Sequence, residues 1–330
     1  MNKDTRRDKA QDWAQQVFGQ ACTIASLAGD ASFRRYFRIK CNDVNYVLMD
    51  APPEKEDVQP FLRVLGWMAQ AGLRTPALVA QEHEEGFLLL EDFGDVTWAA
   101  HLRQGGDIAP LMRDALRQLH LLQAAVPEAL PVFDVPRMQR ECDLYLDWYL
   151  PQVAAYTPSQ AERDAFHAAL LAILTELAAL PRVPVHLDYH SRNLMLPQLD
   201  GLGGLPLGVI DFQDAVAGPV TYDLASLLYD CYQDYPEEMR REVSESFFAS
   251  LPLALSAPFV DVDDWHRLLR LTAMQRHIKA IGIFARLAFR DGKRQFLDEI
   301  PLTRRHLRDE MQALGIHGEA WALLLREPAL

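Results

Sequence analysis

The stretch that decides the reading is His186-Leu187-Asp188-Tyr189-His190-Ser191-Arg192-Asn193-Leu194-Met195-Leu196, followed by Gly208-Val209-Ile210-Asp211-Phe212. It sets three polar groups on an apolar frame: an Asp, an Asn five positions on, and a second Asp at the end of an apolar strand. Phosphoryl transfer uses such a set. One carboxylate orients the acceptor hydroxyl and takes its proton, while an Asn and a second carboxylate hold the ions that bridge the nucleotide phosphates. The chain reads H-L-D-x-x-x-x-N, with the spacing of the H-R-D-x-x-x-x-N loop. In this reading Asp188 is the catalytic base, and Asn193 and Asp211 are the metal ligands. His186, between Val185 and Leu187, is expected to pack inward and brace the loop. A plain helix–turn–strand connection would carry such an Asp and Asn only by chance. An N-capping Asp at a strand end is the alternative for Asp211, but it falls where the chemistry requires it. Asp223, at the start of a helix over 224–229, reads first as an N-cap, with bracing of the loop as the alternative.

Bulk properties fit an ordinary globular protein of 330 residues, long enough for two lobes with separate cores. A formal net charge of −13 argues against general nucleic-acid or anionic-membrane binding. Cys22, Cys41, Cys142 and Cys231 form no C-x-x-C pair, and all four are expected to be reduced, mostly buried thiols in a cytoplasmic protein. Residues 1–20 are polar and charged, unlike a secretory signal, and no run is long and apolar enough to span a bilayer.

Short strand patterns fill the first third, at 22–27, 33–40, 46–50, 77–82 and 87–91, with a helical pattern at 58–70 carrying Phe61, Leu62, Leu65 and Met68. Helical patterns follow at 108–125, 138–150 and 159–180, and the chain is almost wholly helical from Tyr222. The expected fold is α+β: a β-rich N-lobe over 1–91 with a five-stranded antiparallel sheet, and a mainly helical C-lobe over 92–330. Residues 199–206 form a Gly-rich turn too brief to be a linker.

Weaker signals surround the main one. The segment 27–38 lies where a turn covering phosphates would sit, so Gly29, Ser32, Arg34 and Arg35, with Arg38, are candidates for nucleotide contacts; solvated arginines on a hairpin would look the same. Leu90, Glu91 and Asp92 are hinge candidates for the adenine edge. Glu141, Asp147 and Trp148 mix acids with an aromatic, as a sugar site does, although a core helix reads alike. Arg276 and Lys279 lie in a basic strip that either receives an anionic group or stays solvated. His190, Arg192 and Asp214 flank the main motifs and complete the substrate candidates.

The blocks HLDYHSRNLML, GVIDFQDAVAGPVTYDLASLLYD and LLLEDFGD resemble the aminoglycoside phosphotransferase family, over roughly residues 20 to 310. The resemblance implies a two-lobed protein-kinase-like fold, ATP as cosubstrate and Mg²⁺. GDASFRRYFRI, NYVLMDAPPEKED, YLDWYL and QRHIKAIGIFARLAFRDGK resemble the branch of bacterial anomeric kinases that phosphorylate N-acetylmuramate and N-acetylglucosamine at C1 in cell-wall recycling. One departure stands out: Met49 occupies the place of the strand-3 lysine of kinase-like folds, and an arginine of the 34–38 cluster is expected to replace it. The implied partners are a small-molecule sugar, with no nucleic acid, no membrane and no obligate protein partner. The rival readings are a kinase for an aminoglycoside or another small-molecule hydroxyl, and a nucleotide-binding regulatory protein without turnover.

Overall fold

A computed structural model of the chain describes residues 4–27, 34–127, 129–197 and 206–329. Gly29, Ser32 and nearly all of the Gly-rich turn at 199–206 lie outside the described residues.

Alternation builds the first sheet. In β2 (Arg35–Cys41) Phe37, Ile39 and Cys41 are buried while the residues between them are half-buried or exposed. β1 (Thr23–Ser26), β2, β3 (Val44–Asp50), β4 (Leu78–Glu82) and β5 (Phe87–Glu91) form the expected five-stranded antiparallel sheet, in the order β1-β2-β3-β5-β4. Asn42 and Asp43, both at positive φ, make the two-residue turn that joins β2 to β3 in register Cys41↔Val44. Four further short strands form two nested antiparallel pairs. β6 (Arg182–Val185) pairs with β9 (Val216–Pro219), and β7 (Leu194–Met195) with β8 (Gly208–Val209).

The chain divides into two compact units, Met1–Asp114 with Leu194–Gln213, and Ala115–Asn193 with Asp214–Leu330. The β7–β8 hairpin thus groups with the N-terminal segment. Long-range backbone bonds are the reason: Leu196 N–H donates to the Val96 carbonyl (2.8 Å) and Val209 N–H to the Arg74 carbonyl (2.8 Å). Gly208 is required there, since a Cβ would lie 2.3 Å from the Phe93 ring.

In the first unit, α1 (Thr5–Phe18) was not legible in the polar N-terminus. It lays only Ala10, Ala14 and the edges of Trp13 and Phe18 on a core made by Phe37, Ile39, Leu48, Phe87 and Leu89. Its Arg6 and the strand residue Arg35 both donate to Asp50, a fully buried carboxylate, at 2.6–3.0 Å. α2 (Gln59–Gln70) buries Phe61, Val64, Leu65 and Met68 on one stripe, and α3 (Trp98–Arg103) is capped by the Thr97 hydroxyl. Cys22 and Cys41 correct the expectation of four thiols: they form a disulfide. The pairing Thr23↔Lys40 brings these cysteines face to face on neighbouring strands, 19 positions apart in sequence, a proximity that linear spacing does not reveal. Cys142 and Cys231 are buried free thiols.

α4 (Ala109–Ala124) carries the boundary, and the second unit is helical. α5 (Val135–Leu144) runs into a π turn, Tyr145–Tyr149, before the short α6 (Leu150–Gln152), where the sequence reads as one helix over 138–150. Pro151 supplies no N–H to the preceding turn, and the widened backbone accommodates it. α7 (Gln160–Ala178) starts with a capping box from Ser159 and Glu162. α8 (Tyr222–Leu228), α9 (Glu237–Ser250) and α10 (Leu253–Ser256) precede the spine of the unit, α11 (Val262–Phe289). Gly282 lets α11 approach the π turn, for a Cβ would sit 2.4 Å from the Leu144–Tyr145 backbone. α12 (Ile300–Ala313) packs on α11. Among the described residues no helix is long and apolar enough to cross a membrane.

One buried pair joins α11 to α12. His277 Nδ1 lies 2.7 Å from Glu310 Oε2, and His277 Nε2–H donates to the Tyr229 carbonyl (2.8 Å). Burial opposes a charge on His277, but the Glu310 carboxylate outweighs it and raises the imidazole from 6.5 to about 10. A raised histidine stabilises the fold fully below its unfolded value near 6.5, and that stabilisation is lost as pH rises toward about 10. Melting temperatures taken from pH 6 to 10 should therefore fall more steeply for the native chain than for His277→Gln. Parallel curves would show that the pair holds no extra proton.

Candidate active site

The loop after β6 cannot continue a sheet. Leu187 has φ 78°, a left-handed conformation that a bulky side chain rarely adopts, so the N–H groups around it need other acceptors. Asp223 supplies them. Its Oδ2 accepts from the His186 N–H (2.6 Å) and its Oδ1 from the Leu187 N–H (3.1 Å). Thr221 holds the N-cap position of α8, and Asp223 lies inside the first turn, so the N-cap reading gives way to loop bracing. Burial pushes the Asp223 carboxyl up to about 6, against the lowering effect of His186 and these N–H bonds. His186 is buried, and its Nδ1 accepts from the Asp188 N–H (3.3 Å).

A tight turn follows. His190 N–H donates to the Asp188 carbonyl (3.0 Å), Asn193 N–H to the His190 carbonyl (2.9 Å), and Asn193 Nδ2 to the Asp188 carbonyl (3.0 Å). Asp188 and Asn193 are thus brought together in one short turn. The Asp188 side chain is 41 % exposed. Burial by itself would raise its pKa, but Lys279, His190 and Arg276 outweigh that and hold it below the usual range. Asp211 belongs to the other unit. It stands at the end of the β8 segment with φ 65°, accepts from Gln213 Nε2 (2.9 Å), and is followed by Phe212, buried 5.0 Å from Phe61 ring to ring. With its amide nitrogen committed to Asp188, Asn193 can meet a metal only through Oδ1. That atom and the Asp211 carboxylate are hard oxygen donors, the kind Mg²⁺ prefers.

α11 brings the cations. Lys279 Nζ lies 3.9 Å from Asp188 Oδ1 and 3.7 Å from Glu141 Oε2, with its side chain 12 % exposed. Burial opposes its charge, yet Glu141, Tyr222 and Asp188 raise it overall, so Lys279 stays an ammonium. Arg276 is buried with its guanidinium 5.4 Å from the Tyr222 ring centroid, and neither Nε nor Nη1 has a hydrogen-bond partner among the described residues. The basic strip is therefore not a solvated face.

Other candidates lie elsewhere or are engaged. Asp147 is exposed and ion-paired to Arg163 (2.9 Å), with Trp148 beside it on the π turn. Arg192 pairs with Glu299 and lies over Tyr232, 3.7 Å from the ring centroid. His190 meets the same ring edge-on, and Asp214 is exposed. Among the nucleotide candidates, Arg35 is held by Asp4 and Asp50, and Arg38 by Asp92 and Asp95. Arg34 lies 3.7 Å from Glu56. Leu90 is buried in β5, and the Glu91 N–H is taken by the Ala77 carbonyl while its carboxylate pairs with Arg74. Asp230 escaped the sequence reading: it is fully buried and accepts from the Ser191 N–H (2.9 Å). Its signal was a second Asp seven positions after Asp223, closing an apolar run.

With this geometry in place, the profile of the Phosphotransferase enzyme family matches residues 23–269. An N-acetylmuramate/N-acetylglucosamine kinase of Pseudomonas aeruginosa is 39% identical over 305 residues, covering 88% of this chain and 86% of that one. One of the same name from Neisseria meningitidis is 35% identical over 327 residues, covering 97% and 95%. Among solved structures, a thermostable mutant of aminoglycoside phosphotransferase APH(4)-Ia in ternary complex with AMP-PNP and hygromycin B superposes with TM-score 0.60 at 15% identity, covering 92% of this chain and 98% of that one. At that identity the likeness shows the fold, which is the α+β, protein-kinase-like one expected. The chain is a kinase that belongs to the Phosphotransferase enzyme family.

Proposed function

We propose that the chain transfers the γ-phosphoryl group of ATP to the anomeric hydroxyl of N-acetylmuramate, N-acetylglucosamine or both, in the recycling of peptidoglycan. The observation that carries this reading is the Asp188–Asn193 turn, with a half-exposed carboxylate kept ionised by Lys279. Identity with kinases of that name across most of both chains supports the acceptor. An anomeric hydroxyl is more acidic than an ordinary alcohol. Modest proton acceptance by Asp188 is enough, and most of the rate comes from positioning and charge neutralisation. Asn193, and Asp211 by its place in the motif, would supply oxygen ligands for Mg²⁺. Bound there, Mg²⁺ would supply charge neutralisation for the transferring phosphoryl group.

Lys279 and Arg276 favour an acceptor that carries a carboxylate, as N-acetylmuramate does. A polycationic aminoglycoside would meet like charge from the same two residues. For the nucleotide, Arg34 takes the part of the missing strand-3 lysine, with Glu56 as the carboxylate that orients it, 3.7 Å away.

ADP release measured over a panel of N-acetylated sugars and aminoglycosides tests the reading. Turnover should appear with the N-acetylated sugars. Asp188→Ala should lower kcat by about a hundredfold or more with the melting temperature unchanged, since the side chain is a half-exposed loop group. A purified, folded variant with native turnover would remove Asp188 from the chemistry. Separately, Arg34→Met should raise KM for ATP about tenfold and leave KM for sugar alone. An unaltered KM for ATP would rule out Arg34 as the lysine substitute.

A further inference from the structure

We propose that Asp230 is a positioning residue for phosphoryl transfer, fixing the middle of the Asp188–Asn193 turn, and that the buried His277–Glu310 pair fixes Asp230 in its place. The role assigned to this turn rests on the proposed function; its mechanical coupling to Asp230 does not.

Asp230 is fully buried just past the end of α8. Its Oδ1 accepts from the Tyr232 N–H (2.8 Å), an ordinary local turn contact. Its Oδ2 does something a local turn does not require. It reaches a residue 39 positions earlier and accepts from the Ser191 N–H (2.9 Å), midway between Asp188 and Asn193. Asp223 already holds the entry to the loop through the N–H groups of His186 and Leu187. The two carboxylates therefore grip the loop at two points, one before Asp188 and one after it.

The backbone that carries Asp230 is clamped in turn. The Tyr229 carbonyl, one residue earlier, accepts from His277 Nε2–H (2.8 Å), and His277 Nδ1 meets Glu310 at 2.7 Å. The Tyr229 ring lies under two guanidiniums, Arg240 at 4.9 Å and Arg270 at 5.7 Å from its centroid. A continuous path of buried contacts thus runs from Glu310 on α12, through His277 and residues 229–230, to Ser191. His277 and Glu310 thus reach the turn through the Tyr229 carbonyl and the neighbouring Asp230.

The path explains an otherwise costly arrangement. A buried carboxylate and a buried His–Glu pair each lose hydration that solvent would supply. Placing them where they immobilise a turn carrying the base and a metal ligand gives that burial a use, because small displacements of reacting groups cost large factors in rate.

The test uses the full-length protein as Asp230→Asn, Asp230→Ala and His277→Gln. Hydrogen–deuterium exchange is read first, without nucleotide or sugar. Asp230→Asn should speed exchange in a peptide covering 186–196 about tenfold or more, while peptides from the five-stranded sheet stay as in the native protein. In steady state, kcat should fall about ten- to a hundredfold with KM for sugar within about twofold, and the Mg²⁺ concentration for half-maximal rate should rise, since Asn193 shares the turn. His277→Gln should shift the same readouts in the same direction by less. Native exchange at 186–196 in Asp230→Asn overturns the proposal, and so does a uniform gain in exchange over the whole second unit, which would mark Asp230 as merely structural. If Asp230→Ala does not fold, the near-isosteric Asn variant decides alone. If the native chain turns over no sugar, the exchange result still decides the coupling, and it is the proposed function that fails.

Discussion

Two buried carboxylates holding the backbone of one strained loop are the constraint on which the rest depends. The chain between β6 and β7 must place Asp188 and Asn193 on one turn, and it does so with Leu187 in the left-handed region. Such a residue costs about 1–3 kcal/mol, and each buried N–H left without an acceptor costs about as much again. Asp223 accepts two of those N–H groups and Asp230 a third. The loop is thus held by buried side chains from outside it, and the strain persists because the surroundings over-determine it.

Charge is organised by the same logic of local pairing. The chain carries a net charge of −13, yet phosphoryl transfer needs positive charge at the reacting groups. In the first unit the arginines of the 34–38 cluster all face carboxylates: Arg34 lies beside Glu56, Arg35 joins Arg6 on the buried Asp50, and Arg38 locks Asp92 and Asp95. In the second unit Lys279 and Arg276 remain close to Asp188, held in the interior by α11. A long helix buried on nearly every side can carry such groups only where a carboxylate or an aromatic ring faces them, and Glu141, Asp188 and Tyr222 do so.

How much was legible follows from the range of each interaction. Alternating strands such as β2, and β5 with its bounding turn, are local patterns and could be read directly, as could the stripe on α2. The H-x-D-x-x-x-x-N spacing is local too, and it named the two residues that share the turn. α1 was not legible, because its buried face consists of two alanines and ring edges, a stripe too thin to stand out among charges. The π turn at 145–149 follows from one proline whose effect on the preceding turn needs the backbone to be seen. The Cys22–Cys41 bond, the grouping of the β7–β8 hairpin with the N-terminal segment and the bond from the Ser191 N–H to Asp230 all depend on pairings between distant segments. Spacing alone does not encode these pairings. Asp223 shows the boundary most clearly: at a helix start, capping and loop bracing look identical until the acceptor geometry is known.

The position of the transferred phosphate tests the central claim most directly. N-acetylmuramate and N-acetylglucosamine, each incubated with the protein, ATP and Mg²⁺, should give with at least one of them a product whose phosphorus resonance couples to the anomeric proton and whose sugar no longer reduces copper. A phosphate coupled to any other ring proton, or both sugars recovered unchanged beside hydrolysed ATP, would contradict the account.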